Sequence, residues 1–299
     1  MRAVVIHEFG GPDVLQLEEV DAPSPGAGEV LVRLRAASVN PIDWKNRTGS
    51  REQPLPLILG SDGAGVVEES NADGFAEGDA VFGRTSSGAY AEMAVAAADA
   101  IVKKPDGLGF EQAAALPVVG LTSWEALFDK GGLQSGQTAL IAGASGGVGH
   151  LAVQFAKSAG ARVIGTAATR NRDFVLGLGA DQFVDYTQED VAEAAGEVDV
   201  AFDTVGGGVT ASLVPTLREG SVMVTIANAP PESEAAERGA RAELLVSYNS
   251  PEYLTQIGEL VASGQVRVDI SETLPLEEIR RAHELSESGH VRGKIVLTI

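Results

Sequence analysis

Between Ala142 and Gly149 the chain reads AGASGGVG, and residues of these types at this spacing can cradle an anion. The pattern is G-x-G-x-x-G with Ala144 at the first glycine position and Gly146 and Gly149 at the other two. Gly143 and Gly147 give the turn extra freedom. Ahead of the turn, Thr138–Ala142 reads as a short buried strand. Behind it, Val148, Leu151, Ala152, Phe155 and Ala156 recur at i, i+3, i+4, i+7 and i+8, which predicts a helix with one apolar face. Strand, turn and helix together aim backbone N–H groups and the positive end of a helix at one point, where a pyrophosphate can sit. Glycines alone also serve ordinary turns. It is the strand before and the helix behind that make this a dinucleotide site.

The next strand bears on which dinucleotide. A site for NAD places Asp or Glu roughly 20 residues past the glycine turn, on the ribose 2′-hydroxyl. Here that stretch is Thr166-Ala167-Ala168-Thr169, with no acid before Asp173, and two cations arrive instead, Arg170 and Arg172. Arginine offers paired donors to a 2′-phosphate. As plain surface residues near a helix start, both would oppose the helix dipole. The expected cofactor is therefore NADPH. Further on, Asp203-Thr204-Val205-Gly206 and Ile226-Ala227-Asn228 end two strands, and the carboxyl ends of parallel strands line a ligand crevice. Val205 is expected to pack on the cofactor and Asn228 to hydrogen-bond it; ordinary strand-to-loop turns are the alternative reading of each.

Other chemistries lack their residues. Cysteine is absent, so disulfides and thiolate metal sites are excluded; this fits a reducing, cytoplasmic setting. The four histidines (His7, His150, His283 and His290) lack ligand spacing, and no metal is expected. Gly143-Ala144-Ser145-Gly146-Gly147 fits G-x-S-x-G only as part of the glycine turn, and no Cys–His or Ser–His constellation supports nucleophilic catalysis. The net charge is −20, from 42 acidic against 22 basic residues, which disfavours nucleic acid and anionic lipid as partners. No uncharged apolar run is long enough to span a bilayer. The opening MRAVVIHEFG reads as a first strand rather than a secretory leader.

These motifs need a frame to hold them. Up to about Glu111 the chain is rich in β signals broken by Gly, Pro, Asn and Asp clusters. Met1–Phe9, Val14–Val20, Glu29–Ala37, Gly63–Glu69, Asp79–Phe82 and Ala89–Val95 read as strands, and Pro41–Thr48 as a short helix. The rhythm then becomes alternating helix and strand, the mark of a parallel sheet. Helices are expected at Val119–Lys130, His150–Ala159, Asn171–Leu178 and Val209–Leu217. Strands are expected at Thr138–Ala142, Arg162–Thr166, Gln182–Asp185, Val198–Asp203, Val222–Ala227 and Ala242–Ser247. The tail predicts a helix from Ser250-Pro251-Glu252 to near Gly264, a second over Leu276–Ser288, and a last strand Lys294–Ile299.

With these pieces in place the chain resembles the zinc-independent quinone oxidoreductases (zeta-crystallin-like) of the medium-chain dehydrogenase/reductase superfamily. The resemblance spans nearly the whole chain. It rests on Ala36-Ala37-Ser38-Val39-Asn40-Pro41-Ile42-Asp43-Trp44-Lys45, Leu59-Gly60-Ser61-Asp62-Gly63-Ala64-Gly65-Val66, Gly88-Ala89-Tyr90-Ala91-Glu92, and Ala114-Ala115-Leu116-Pro117 with Gly120-Leu121-Thr122-Ser123-Trp124. It continues through the long signature from Gly136-Gln137 to Gln154 and Lys157, and closes on Gly289-His290-Val291-Arg292-Gly293-Lys294-Ile295-Val296-Leu297. It implies an α/β fold: a GroES-like β-rich catalytic domain made from residues 1–116 and 249–299, and a Rossmann NADPH-binding domain, a doubly wound parallel sheet, over 117–248. It also implies a cleft for cofactor and substrate, and a homodimer formed through the Rossmann sheet edge.

Position by position, the resemblance makes Asn40 the asparagine on the nicotinamide side and places Thr122 near the nicotinamide ribose. Ser145, Gly147 and Val148 become pyrophosphate contacts, Arg172 and Tyr186 contacts to the 2′-phosphate, and Lys294 a further cofactor residue alongside Asn228. Where zinc-dependent relatives carry metal ligands this chain has Asn40, Gly60-Ser61-Asp62 and Val119. Trp44-Lys45 stands where many quinone reductases have Tyr, and the span after Asn228 is short, so the acceptor is left open.

The reaction so implied is metal-free hydride transfer from NADPH to a small acceptor, a quinone or a similar electron-poor molecule. The cofactor supplies the chemistry, and the protein supplies orientation and exclusion of water. Asn40 is the candidate donor to the oxyanion formed, and Lys45 the candidate charge or proton source if it faces the cleft. Asp43 reads as a cap on its turn. Two alternatives stay open, an enone or enoyl double-bond reductase and a non-catalytic NADPH-binding structural or sensing protein.

Overall fold

The computed structural model describes residues 1–51 and 53–299. The chain divides into two compact units, one of 1–118 with 249–299 and the other of 119–248. In the first unit the chain lays down β1 (Arg2–Ile6), β2 (Gln16–Glu19), β3 (Glu29–Val39), α1 (Pro41–Arg47), β4 (Leu57–Ile58), β5 (Asp62–Ser70), β6 (Ala80–Arg84), β7 (Met93–Ala97), β8 (Ile101–Lys103) and α2 (Phe110–Ala114). A small sheet runs β2-β1-β4, while β3 pairs antiparallel with both β5 and β7. The strand expected over Ala89–Val95 begins later, at Met93. Residues 89–91 are held by other partners, with Ala89 and Tyr90 donating to Gly60 and Leu59 and Ala91 bridging Ala3.

The second unit opens with the remainder of α3 (Pro117–Trp124), which passes into a π-type turn, Glu125–Lys130. Then follow β9 (Thr138–Ala142), α4 (Gly149–Ser158), β10 (Arg162–Ala167), α5 (Arg172–Gly177), β11 (Gln182–Asp185), α6 (Val191–Ala195), β12 (Val198–Asp203), α7 (Gly208–Leu213), β13 (Leu217–Thr225), α8 (Glu232–Glu237) and β14 (Arg241–Leu244). All the pairings are parallel, in the order β11-β10-β9-β12-β13-β14. This is the doubly wound order, with its reversal between β9 and β12. The central β12 is buried at every residue, as a parallel strand covered on both faces must be. Helix α7 stops earlier than expected. A short 3-10 turn at Val214–Thr216 contains Pro215, which has no N–H to continue the helix, and β13 starts at once at Leu217.

The returning chain forms α9 (Pro251–Ala262), β15 (Ile270–Pro275), α10 (Ile279–Glu287) and β16 (Lys294–Thr298). Ser250 caps α9 by accepting from the Tyr253 N–H, with Pro251 behind it. Strand β16 pairs with β3 and β15, completing the larger sheet as β15-β16-β3-β5-β6-β8. Val4, Val32, Leu34, Val81, Ile279, Ile295 and Leu297 share one apolar core, so both ends of the chain build this unit. No helix among the described residues is long and apolar enough to cross a membrane.

Candidate active site

In the second unit the glycine turn leaves the carboxyl end of β9 at the strand-order reversal. Gly143 has a φ of +74°, and a Cβ there would lie 2.5 Å from Thr204 Oγ1. At Gly149 a Cβ would lie 2.1 Å from the Gly143 carbonyl, so helix and strand meet at a distance only glycine permits. The Ala144 N–H donates to Thr166 O and the Gly146 N–H to Gly143 O, which fixes the loop. Ser145, Gly146, Gly147 and Val148 stay partly exposed beside the start of α4, where the first N–H groups of a helix have no partner in the helix itself. His150 is buried, with Nδ1 3.0 Å from Gly146 O, so it braces the turn from within. The Ser123 hydroxyl lies 2.8 Å from Val148 O and 2.7 Å from Val119 O, joining α3 and its neighbour Thr122 to the same turn.

The arginines stand on the same rim. Ser145 Oγ accepts from Asn171 Nδ2 at 3.0 Å, which ties the glycine turn to the segment carrying Arg170 and Arg172. Both arginines are exposed, as is Tyr186 at 55%, and the Arg172 guanidinium sits 5.3 Å above the Phe183 ring. The Asp185 carboxylate bridges its own loop and the turn that carries Arg170. It accepts from the Thr169 hydroxyl and from the Thr187 N–H and hydroxyl, and these bonds hold its pKa down. Beyond β12, the buried Asp203 carboxylate accepts from the N–H groups of Val205 and Gly206 and from the Thr210 hydroxyl. Val205 is thereby left exposed. Asn228 Oδ1 accepts from the Gly207 N–H at 2.9 Å, and its Nδ2 donates to Ala229 O at 3.0 Å. One Nδ2 hydrogen of Asn228 remains for a ligand.

The first unit holds a second polar centre, inside its core. Asn40 is the N-cap of α1 and only 1% exposed. Its N–H donates to Asp43 Oδ2 at 2.8 Å, so Asp43 caps the turn as its spacing suggests. The same oxygen accepts from the Tyr90 phenol at 2.8 Å. Asn40 Nδ2 donates to Asp62 Oδ2 at 3.0 Å, and Lys294 Nζ donates to Asn40 Oδ1 at 2.5 Å. Burial pushes the Asp43 carboxyl up to about 7, against the hydrogen bonds that favour its charge. Burial likewise raises Asp62 and lowers Lys294, while their mutual attraction opposes both shifts.

Behind Tyr90 the buried Arg47 reaches Gly10 O, His283 Nδ1 at 3.1 Å and Glu287 at 2.6 Å. Burial, then the Arg47 charge, pulls His283 down to about 3, so its ring is neutral.

Asp62, Tyr90 and the depth of Lys294 are what the sequence reading did not supply. The available signal was an ionisable residue set within apolar strand sequence, as in Asp62-Gly63-Ala64-Gly65-Val66-Val67 and Lys294-Ile295-Val296-Leu297. Lys45 lies outside the cluster, exposed on α1, with Nζ 5.7 Å over the Trp44 ring.

Two family models match the chain, an alcohol dehydrogenase GroES-like domain over residues 26–106 and a zinc-binding dehydrogenase domain over 178–297. Among solved structures, a quinone oxidoreductase from Coxiella burnetii superimposes with a TM-score of 0.95 at 37% identity, covering 100% of this chain and 99% of that one. The Escherichia coli quinone oxidoreductase complexed with NADPH gives a TM-score of 0.92 at 30% identity, with both chains fully covered. An NADPH-dependent alkenal/one oxidoreductase of Arabidopsis thaliana is 32% identical over 99% of this chain and 79% of its own length. The protein is thus an oxidoreductase of the medium-chain dehydrogenase/reductase superfamily. Within that superfamily it belongs to the quinone oxidoreductase, zeta-crystallin-like branch.

Proposed function

We propose that this chain is an NADPH-dependent oxidoreductase that delivers hydride to a small electron-poor acceptor, a quinone, without a metal ion. The observation that carries the reading is the rim of the 119–248 unit. A glycine turn stands there at the strand-order reversal beside exposed Arg170, Arg172 and Tyr186, with the Asp185 carboxylate engaged by the hydroxyls of Thr169 and Thr187. The NADPH named for the E. coli and Arabidopsis relatives supports the same cofactor.

On this reading the α4 N-terminus with Ser145, Gly146, Gly147, Val148 and Gly149 holds the pyrophosphate. Arg170, Arg172 and Tyr186 hold the 2′-phosphate, while Thr122, Val205 and Asn228 fix the nicotinamide end. Bound NADPH supplies the hydride. In the other unit, Asn40 donates to the acceptor oxygen that gains negative charge, and exposed Lys45 or water returns the proton. Zinc suits the donors of that unit poorly. The positions that carry metal ligands in zinc-dependent relatives offer an amide and one carboxylate, with an ammonium 2.5 Å from the amide oxygen. The alkenal/one relative favours a second acceptor class, the β-carbon of an enone, for the same hydride. We also propose a homodimer through the β14 edge.

The cofactor assignment is tested by steady-state kinetics with NADPH and NADH. Arg172→Ala is expected to raise the KM for NADPH by about 10- to 100-fold, the worth of a charged hydrogen bond, with little change for NADH. An unchanged preference between the two would remove Arg172 from the site.

A further inference from the structure

Lys294 was expected among the cofactor residues, yet its ammonium is 3% exposed and lies within the core of the first unit. It opens β16, and Nζ donates to Asn40 Oδ1 at 2.5 Å and to Val39 O at 3.1 Å. A carboxamide is nearly symmetric in shape and can flip, exchanging oxygen for NH2. Here the flip is blocked at both ends. Lysine ammonium can only donate, and an ionised carboxylate can only accept. The Asp62 carboxylate is placed as an acceptor throughout, from Asn40 Nδ2, Ser38 Oγ and the Val118 N–H. A flipped Asn40 would set NH2 against ammonium and oxygen against carboxylate.

The charges around Lys294 fit that role. Asp62 on β5 and Asp43 on α1 both favour its protonated form, and burial opposes them. Tyr90 reaches the group through Asp43, Arg84 on β6 acts on Asp62, and His283 on α10 packs edge-on against Tyr90. From the β15 side the neighbour is the Asp269 carbonyl, which accepts the Lys294 N–H.

We propose that Lys294 is a positioning residue: it locks the Asn40 amide in one orientation and neutralises the buried carboxylate that holds the other end. The proposal rests on the assignment of Asn40 to the acceptor oxygen. It makes Lys294 a partner of Asn40 rather than a ligand of the cofactor.

The test compares wild type with Lys294→Arg, which keeps a cation, and Lys294→Met, which does not. kcat and KM are measured with NADPH against benzoquinone and cyclohexenone between about pH 6 and 10, a span that reaches below the ordinary lysine range. Lys294→Met should lower kcat about 10- to 100-fold and change the KM for NADPH less than about threefold. Wild-type kcat should fall on the alkaline side as Lys294 loses its proton. Lys294→Arg should restore most of kcat and abolish that fall, because guanidinium does not titrate there.

A raised KM for NADPH at unchanged kcat in Lys294→Met would overturn the proposal in favour of cofactor binding. Should the Met variant fail to fold, an alkaline fall that survives in Lys294→Arg overturns it equally. If wild type reduces neither probe, the hydride reading fails separately, and NMR of the Asn40 side-chain amide decides. Amide signals that move as Lys294 titrates support the lock; signals indifferent to Lys294 contradict it.

Discussion

At the scale of single residues, Asp43 carries the clearest consequence. Its carboxyl accepts from the Asn40 N–H and the Tyr90 phenol in a place water does not reach, and burial raises it to about 7. Unfolded, an aspartate titrates near 3.9. Between about pH 4 and 7 the folded chain therefore holds a proton at Asp43 that the unfolded chain has released, and stability falls as pH rises through this window. Asp43→Asn keeps an acceptor for both donors and carries no charge. The difference in melting temperature, variant minus wild type, is expected to grow by several degrees from pH 4 to pH 8, followed by thermal unfolding across that range. A difference that stays flat would contradict the shift. Part of this was legible in sequence, since an acid three residues past Asn40 reads as a cap. Its partner Tyr90 was not, because 47 residues of chain separate the two and only the tertiary fold brings them together.

At the scale of elements, the parallel sheet was legible because each buried strand is a short apolar run between glycines and helices. The short strands β4, β8 and β15 escaped, since two to six residues with mixed exposure carry no period of their own. The end of α7 was moved by one proline. Strand β14 is the sheet edge, and along and beyond it Leu244, Val246 and Tyr248 stand exposed at every second position, Val246 at 72%. An apolar edge left open invites another strand. In the proposed homodimer a second copy of this chain would cover it, and Val246→Glu is then expected to convert a dimer to a monomer in sedimentation velocity. A wild type that sediments as a monomer would refute the edge pairing.

At the scale of the whole molecule, one compact unit is assembled from both ends of the chain, with the six-stranded parallel unit formed by the stretch between them. Periodicity shows two rhythms, β-rich and then alternating. That the tail rejoins the beginning is not in the periodicity; in the sequence only the family resemblance implies it, and in the fold it is made by long-range pairing such as Ile295 with Val39 and Leu297 with Ala37. The glycine turn and the arginines could be singled out because each motif is local in sequence. The Asn40–Asp62–Lys294 group was not, since its members lie 22 and 254 residues from Asn40.

The central claim, hydride transfer from NADPH to an electron-poor acceptor, is tested most directly in a single turnover with NADPH deuterated on either face of nicotinamide C4. Benzoquinone and cyclohexenone serve as acceptors under exclusion of oxygen. One NADP+ is expected per acceptor reduced, with a slowed oxidation when one face, and only one, carries deuterium. NADPH that binds tightly yet is oxidised by neither acceptor would contradict it, as would a rate indifferent to deuterium on both faces.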